Sequence, residues 1–146
     1  RSRIGSPVVR SAAVAGLARY SETAGLKAIE IGLVDPDARV RANAVSSVGY
    51  HKEGSSLEAE LLQALKDSNA QVRSQAARVL GWIESQAAYG DLRTLLSDSS
   101  EEVRLHALRA MRTIDPAQTR SLPELEALEK QPDERMQVIL KSLQTP

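Results

Sequence analysis

Apolar residues in this chain recur in clusters with helical spacing. From Val72 they fall at Ala76, Ala77, Val79, Leu80 and Ile83, and from Val103 at Ala107, Leu108, Ala110, Met111 and Ile114. At about 100° per residue these positions share one broad face of a helix. Each cluster opens on an apolar residue followed by a long polar one: Val9-Arg10, Val40-Arg41, Val72-Arg73, Val103-Arg104 and, in degenerate form, Met136-Gln137. Successive pairs stand 31, 32, 31 and 33 residues apart. A period in that range marks a solenoid, in which each unit buries its face only by stacking on its neighbours. Three residues before each pair stand Ser6, Asp37, Asn69, Ser100 and Asp133. All are strong N-cap residues, whose side-chain oxygen accepts an orphan amide of the first turn.

These clusters form the second helix of each unit. From the second unit onward a shorter amphipathic stretch precedes them, with the columns Ile29, Leu61, Leu92, Leu125 and Leu33, Leu65, Leu96. Gly25, Gly54 and Gly90 are expected in turns between units, and Asp115 to Glu124, with two prolines, as a longer connector. No alternating strand pattern interrupts the series. The expected fold is all-α, an α-solenoid: a superhelix of stacked antiparallel helix pairs, about four and a half repeats long. The chain reads as a single domain, residues 1–146, divided near 1–22 (a half repeat), 23–54, 55–85, 86–115 and 116–146. The first helix carries Val8, Val9, Val14 and Leu17 and has no first-helix mate. We therefore expect the chain to be a piece of a longer protein with another helix upstream, or a second copy to cover that end as a homodimer.

The repeated arginine admits two readings, a phosphate-binding track or a structural element. Relative to the opening Val, the buried residues lie near about 0°, 40°, 80° and 140°, and the arginine at about 100° falls inside that arc. A guanidinium there must be paired, because an unpaired buried charge is very costly. The aspartates that recur in the turns are the available partners. Pairing each arginine with the aspartate of the following unit gives Arg10–Asp35, Arg41–Asp67 and Arg73–Asp98, and leaves Arg104 facing Gln131. The opposite direction strands more charges. The fifth unit has Gln131 and Gln137 in the two positions, which suits a terminal unit released from the ladder.

Composition narrows the chemistry. Lysine and arginine total 19 and aspartate and glutamate 19, so the net charge is zero and the simplest argument for nucleic acid is absent. Aromatic residues are 3% with no Phe, so the core is built from Ala, Val, Leu and Ile. The absence of cysteine excludes disulfides, thiolate metal sites and cysteine nucleophiles. The two histidines, His51 and His106, do not have the spacing of a metal-ligand cluster. No run approaches the roughly 20 apolar residues of a membrane span, and no signal-peptide pattern is visible, so membrane insertion is not expected and the expected compartment is the cytoplasm. No cofactor and no metal site is expected.

The motif D-x-x-x-x-V-R-x-x-A, with a small residue following, resembles the HEAT-repeat family. It is closest to the short bacterial subtype called phycobilisome-lyase-like, and the likeness covers nearly the whole chain. Asp35, Asp67 and Asp98 match the family's turn aspartate, and Arg41, Arg73 and Arg104 its ladder arginine. The resemblance implies an interunit ladder of Arg10, Asp35, Arg41, Asp67, Arg73, Asp98 and Arg104, and a concave side lined by the second helices. It also implies a non-catalytic scaffold or adaptor that binds another protein. The alternative is a bilin lyase-like enzyme subunit, for which no catalytic residue can be named. A nucleic-acid-binding role ranks below both. A di-iron hydroxylase is excluded, since neither histidine is followed by Glu.

The outward rows of the second helices then become the candidate partner surface. They contain Asn43, Gln75 and His106; Ser46, Arg78 and Arg109; and Arg19, Tyr50, Trp82 and Thr113. Trp, Tyr and Arg are enriched at binding hot spots, and here Tyr50, Trp82, Arg78 and Arg109 fall on neighbouring units. The competing placement for Trp82 is against the next unit's first helix, through Ala88 or Tyr89. In the last unit Val138 and Ile139 are both expected to be exposed.

Overall fold

The structure, a computed structural model, describes residues 5–20 and 22–145. Helix α1 (Pro7–Tyr20) packs on α2 (Glu22–Leu33), which pairs with α3 (Ala38–Tyr50), then α4 (Glu58–Ala64) pairs with α5 (Ala70–Trp82), and α6 (Tyr89–Thr94) with α7 (Glu101–Ile114). In the last unit the first helix is split into α8 (Pro116–Arg120) and α9 (Leu125–Glu129), which precede α10 (Glu134–Gln144). No strand occurs among the described residues. The fold is an all-α solenoid of helix pairs.

Each second helix begins where its cap dictates. Ser6, Asp37, Asn69, Ser100 and Asp133 accept backbone N–H groups from Val9, Arg39, Gln71, Val103 and Arg135, at 3.3, 2.8, 2.9, 3.4 and 2.9 Å. Such a cap stabilises a helix by about 1 kcal/mol. Helix α5 ends in a left-handed residue, Glu84 at φ 51°, with the Ser85 N–H reaching back to Leu80 O at 3.0 Å.

Several elements differ from the sequence reading. Gly25 and Gly90 lie inside α2 and α6, not in turns. At Gly25 the reason is the crossing of α1: a Cβ there would stand 2.6 Å from Leu17 O and 2.9 Å from Ala18 Cα. The connector after Asp115 is partly helical, because Pro116 opens α8 and the Asp115 carboxylate caps it through the Gln118 N–H. Leu125 is only half-buried and Leu128 takes the core position, since the short α9 is turned relative to its counterparts. Ile139 is buried at 2% exposure while Val138 stays out at 66%, so only one of that pair faces solvent.

Ile29, Leu61 and Leu92 on the first helices meet Val45, Val48, Leu80, Leu108 and Met111 of the second helices in one continuous core. The second helices also pack directly on one another, α1 on α3, α3 on α5 and α5 on α7, while neighbouring first helices touch little. Small residues allow this. A Cβ on Gly81 would stand 2.9 Å from both Cα and Cβ of Ala110. The second-helix layer is the more closely packed of the two, and its outward rows are the side that the sequence reading expects as the inner face.

Candidate functional site

The arginine column is an interunit clamp. Arg10 holds Asp35 through Nε at 2.9 Å and Nη2 at 3.0 Å, Arg41 holds Asp67 at 2.9 and 3.1 Å, and Arg73 holds Asp98 at 2.9 and 3.0 Å. These planar two-point pairs are the strong form of the charge-assisted hydrogen bond. The remaining Nη1 of Arg41, Arg73 and Arg104 donates to a carbonyl six residues back, at Asp35, Asp67 and Asp98. Each aspartate also accepts the N–H of the cap residue two places on, Asp37, Asn69 or Ser100, all at 2.9 Å. The clamp therefore ties one unit's second helix to the next unit's turn and cap together.

These groups are largely withdrawn from water, with the three paired arginines only 15–18% exposed. Burial pushes the Asp67 and Asp98 carboxyls up, but the clamping arginine, the cap N–H and the charge of the next arginine outweigh it. Both carboxyls end below the ordinary carboxylate value. The fifth unit is not released from this arrangement. Arg104 Nε donates to Gln131 Oε1 at 3.2 Å, and Gln137 Nε2 donates to Gln131 O at 2.9 Å, the contact an arginine makes elsewhere. Two glutamines continue the joint in uncharged form.

The partner-surface candidates line the inner face. Tyr50 is 77% exposed and Trp82 48%, and their rings meet edge to face with centroids 5.7 Å apart. Trp82 packs on Gly49 of the preceding second helix, where a Cβ would come within 2.8 Å of the indole. The Arg78 guanidinium lies 4.4 Å over the indole centroid, and its Nε donates to Gln75 Oε1 at 3.0 Å. Ser46 Oγ donates to the same Gln75 oxygen at 3.0 Å, and Asn43 Nδ2 donates to Ser11 O at 3.3 Å. Asn43, Ser46, Gln75, Arg78, His106 and Arg109 are half-buried rather than fully solvent-facing, because adjacent second helices are close enough for these side chains to touch the neighbouring helix.

His106 sits near Glu102, with Nε2 at 3.5 Å, yet its imidazole is held below the usual histidine value. Burial is the main cause, and the charge of Arg109 comes next. His51 has a structural place at the end of α3: Nε2 lies 3.0 Å from Glu22 O, and Nδ1 accepts the Glu53 N–H at 3.0 Å. Sequence reasoning missed Gly49, the platform under Trp82. The only hint was the small residue repeated one place before the aromatic row, at Ala18, Gly49 and Gly81.

A sequence model of HEAT repeats matches residues 58–144, more than half of the chain. The chain belongs to the HEAT-repeat family. No curated protein matches this HEAT chain. Among solved structures it is similar to a computationally designed armadillo repeat protein for modular peptide recognition, at 20% identity and TM-score 0.71, over 98% of this chain and 77% of the other. A designed armadillo repeat protein in complex with the peptide (KR)4 is similar at 20% identity and TM-score 0.69, over 97% and 76%. A crystal structure of an engineered protein follows at 19% and 0.66, over 92% and 72%. These likenesses establish the solenoid fold.

Among the described residues no group of three or more potential metal-ligating side chains occurs, and no helix is long and apolar enough to cross a membrane. At the first end of the HEAT stack Val8, Val9, Leu17, Ile31 and Val34 are exposed. The matching residues of later units, such as Val40, Val48 and Leu80, are buried.

Proposed function

We propose that this domain is a non-catalytic scaffold whose inner face binds a segment of another protein. The observation that carries this reading is the exposed Tyr50–Trp82–Arg78 cluster, held in place by Gly49, Gln75 and Ser46 on a rigid helical layer. Tyr and Trp offer large contact area with few rotors, and a preformed surface lowers the ordering cost of association. Asn43, Ser46, Gln75, His106 and Arg109 supply hydrogen-bonding groups along the same face. The peptide recognition named for two structural neighbours supports the reading, since the same architecture serves it there.

Residues 1–146 would act as one continuous unit in the cytoplasm. Within the HEAT family we assign the chain to the short phycobilisome-lyase-like subtype, on the D-x-x-x-x-V-R-x-x-A spacing. That assignment concerns the repeat and brings no bilin chemistry with it.

A displayed library of random decapeptides tests the site. Selection on the intact domain should enrich binders that lose at least about tenfold in affinity for the Tyr50→Ala, Arg109→Gln double variant, the scale of a hot-spot loss. The variant should keep its helical circular dichroism and melting temperature. Binders that ignore the double variant would move the site off the inner face.

A further inference from the structure

The zero net charge of the chain conceals a division between its two layers. Helices α1, α3 and α5 contain six arginines and no aspartate or glutamate. Most carboxylates lie instead in the turns and on the first helices, with Glu22 and Glu30 on α2, Glu58 and Glu60 on α4, and Asp91 on α6, while among the second helices α7 opens on Glu101 and Glu102 and α10 on Glu134. Most inner-layer arginines are neutralised locally. Arg10, Arg41 and Arg73 are clamped by the turn aspartates, and Arg39 by its own cap Asp37, at 2.9 Å.

Arg104 in the clamp column is held by Gln131 and the Asp98 carbonyl, and on the outward rows Arg19, Arg78 and Arg109 remain. None has a carboxylate partner among the described residues: Arg78 is held by Gln75, Ser46 and the Trp82 ring, all neutral. Arg112 adds a fourth cation, bound only to Ser142 Oγ at 2.8 Å. The outward rows that hold Arg19, Arg78 and Arg109 contain no acidic residue, and Glu102, which reaches their edge 3.5 Å from His106, is paired with Arg135 at 2.7 Å. The imidazole of His106, which faces Arg109, Arg78 and Arg135 as well as Glu102, is held down mainly by burial, and the charge of Arg109 adds to it.

We infer that the inner face selects an extended peptide bearing acidic side chains around an apolar residue. This deepens the proposed scaffold function and rests on it. Glutamate or aspartate carboxylates would pair with Arg19, Arg78 and Arg109, while the apolar residue covers the Tyr50–Trp82 rings. Packed helices stand about 8–10 Å apart, so an extended chain at about 3.3 Å per residue passes one unit every two to three residues. The acidic positions should therefore recur at that interval. The partner has the opposite sign to the (KR)4 peptide bound by the designed armadillo neighbour. A peptide suits the surface better than nucleic acid, because only a few cations are unneutralised and the two rings meet edge to face, so they do not form a stacking platform for successive bases.

Trp82 is the only tryptophan in the chain and reports occupancy directly. Three labelled decapeptides of one design, a central leucine with glutamate, glutamine or lysine at every third position, and a ten-residue oligothymidylate would be titrated into the domain. Anisotropy and Trp82 emission would be read at low and moderate salt. The glutamate peptide should bind at least about tenfold more tightly than the glutamine peptide, weaken with salt and shift Trp82 emission. It should lose that advantage in an Arg19→Gln, Arg109→Gln variant whose melting temperature is unchanged.

Equal or tighter binding of the glutamine or lysine peptide, with the emission shift retained, overturns the charge preference and leaves the inner-face site standing. Glutamate binding that leaves Trp82 emission unmoved and ignores Tyr50→Ala overturns the site as well. Tighter binding of the oligothymidylate assigns the cations to nucleic acid and overturns the inference, as does the absence of any glutamate-peptide binding.

Discussion

Arg73 and Arg78 sit five residues apart on one helix and show what position does to the same side chain. Arg73 fills a two-point clamp with Asp98 and also caps the Asp67 carbonyl, with little access to water. Its removal leaves Asp98 charged, shielded and half-satisfied. Arg73→Ala should cost about 2–4 kcal/mol, the range for breaking one side of a shielded pair. Arg78 makes neutral contacts with Gln75 and Trp82 at a half-buried site. Its loss should cost about 1 kcal/mol, the sum of a cation–π contact and a net hydrogen bond, each partly replaced by water. Urea melts of the two alanine variants compare them directly, and equal losses would contradict the clamp as the main joint.

At the scale of elements, the spacing of the second-helix layer depends on residues without side chains. Gly81 faces the α7 backbone, where an added methyl would overlap Ala110 Cα. That contact is with backbone rather than the end of a flexible side chain, so α5 and α7 must separate to admit it. Gly81→Ala should therefore destabilise by about 1–3 kcal/mol, as overpacking does, even though alanine is the better helix former. Thermal melts of Gly81→Ala beside Gly90→Ala test this. Gly90 has open space around its Cα, so its variant should match or exceed the parent in stability.

At the scale of the whole molecule, the joints share one acid dependence. Asp67 and Asp98 have folded pKa values below their unfolded ones. The folded state therefore binds fewer protons, and the stabilisation is complete above the unfolded carboxylate value of about 3.9 and is lost as pH falls through the folded values. His106 adds an earlier branch of the same sign: its folded value is depressed, so stability declines as pH drops below about 6.5 toward that value. Urea midpoints measured from pH 8 to pH 3 should show both declines. Asp98→Asn should start less stable and fall less steeply below pH 4, and His106→Gln should flatten the upper branch alone. An unaltered acid slope in Asp98→Asn would mean that the clamp does not set it.

The sequence by itself determined the repeat. Its period, the five cap residues, the apolar columns and the identity of the charged column are all local or periodic features, and helix formation and capping act over only a few residues. The direction in which Arg10 reaches Asp35 was also legible, because only one pairing leaves few charges stranded. Tertiary structure decided the rest. Whether Trp82 leans forward or back depends on the space over Gly49, 33 residues earlier in the chain. Whether Gln131 and Gln137 abandon the joint or continue it depends on how α7 and α10 meet. The run of arginines without carboxylates through α1, α3 and α5 was invisible in a net charge of zero. It matters because stacking places residues 31–33 apart side by side, and a linear count cannot register which charges become neighbours.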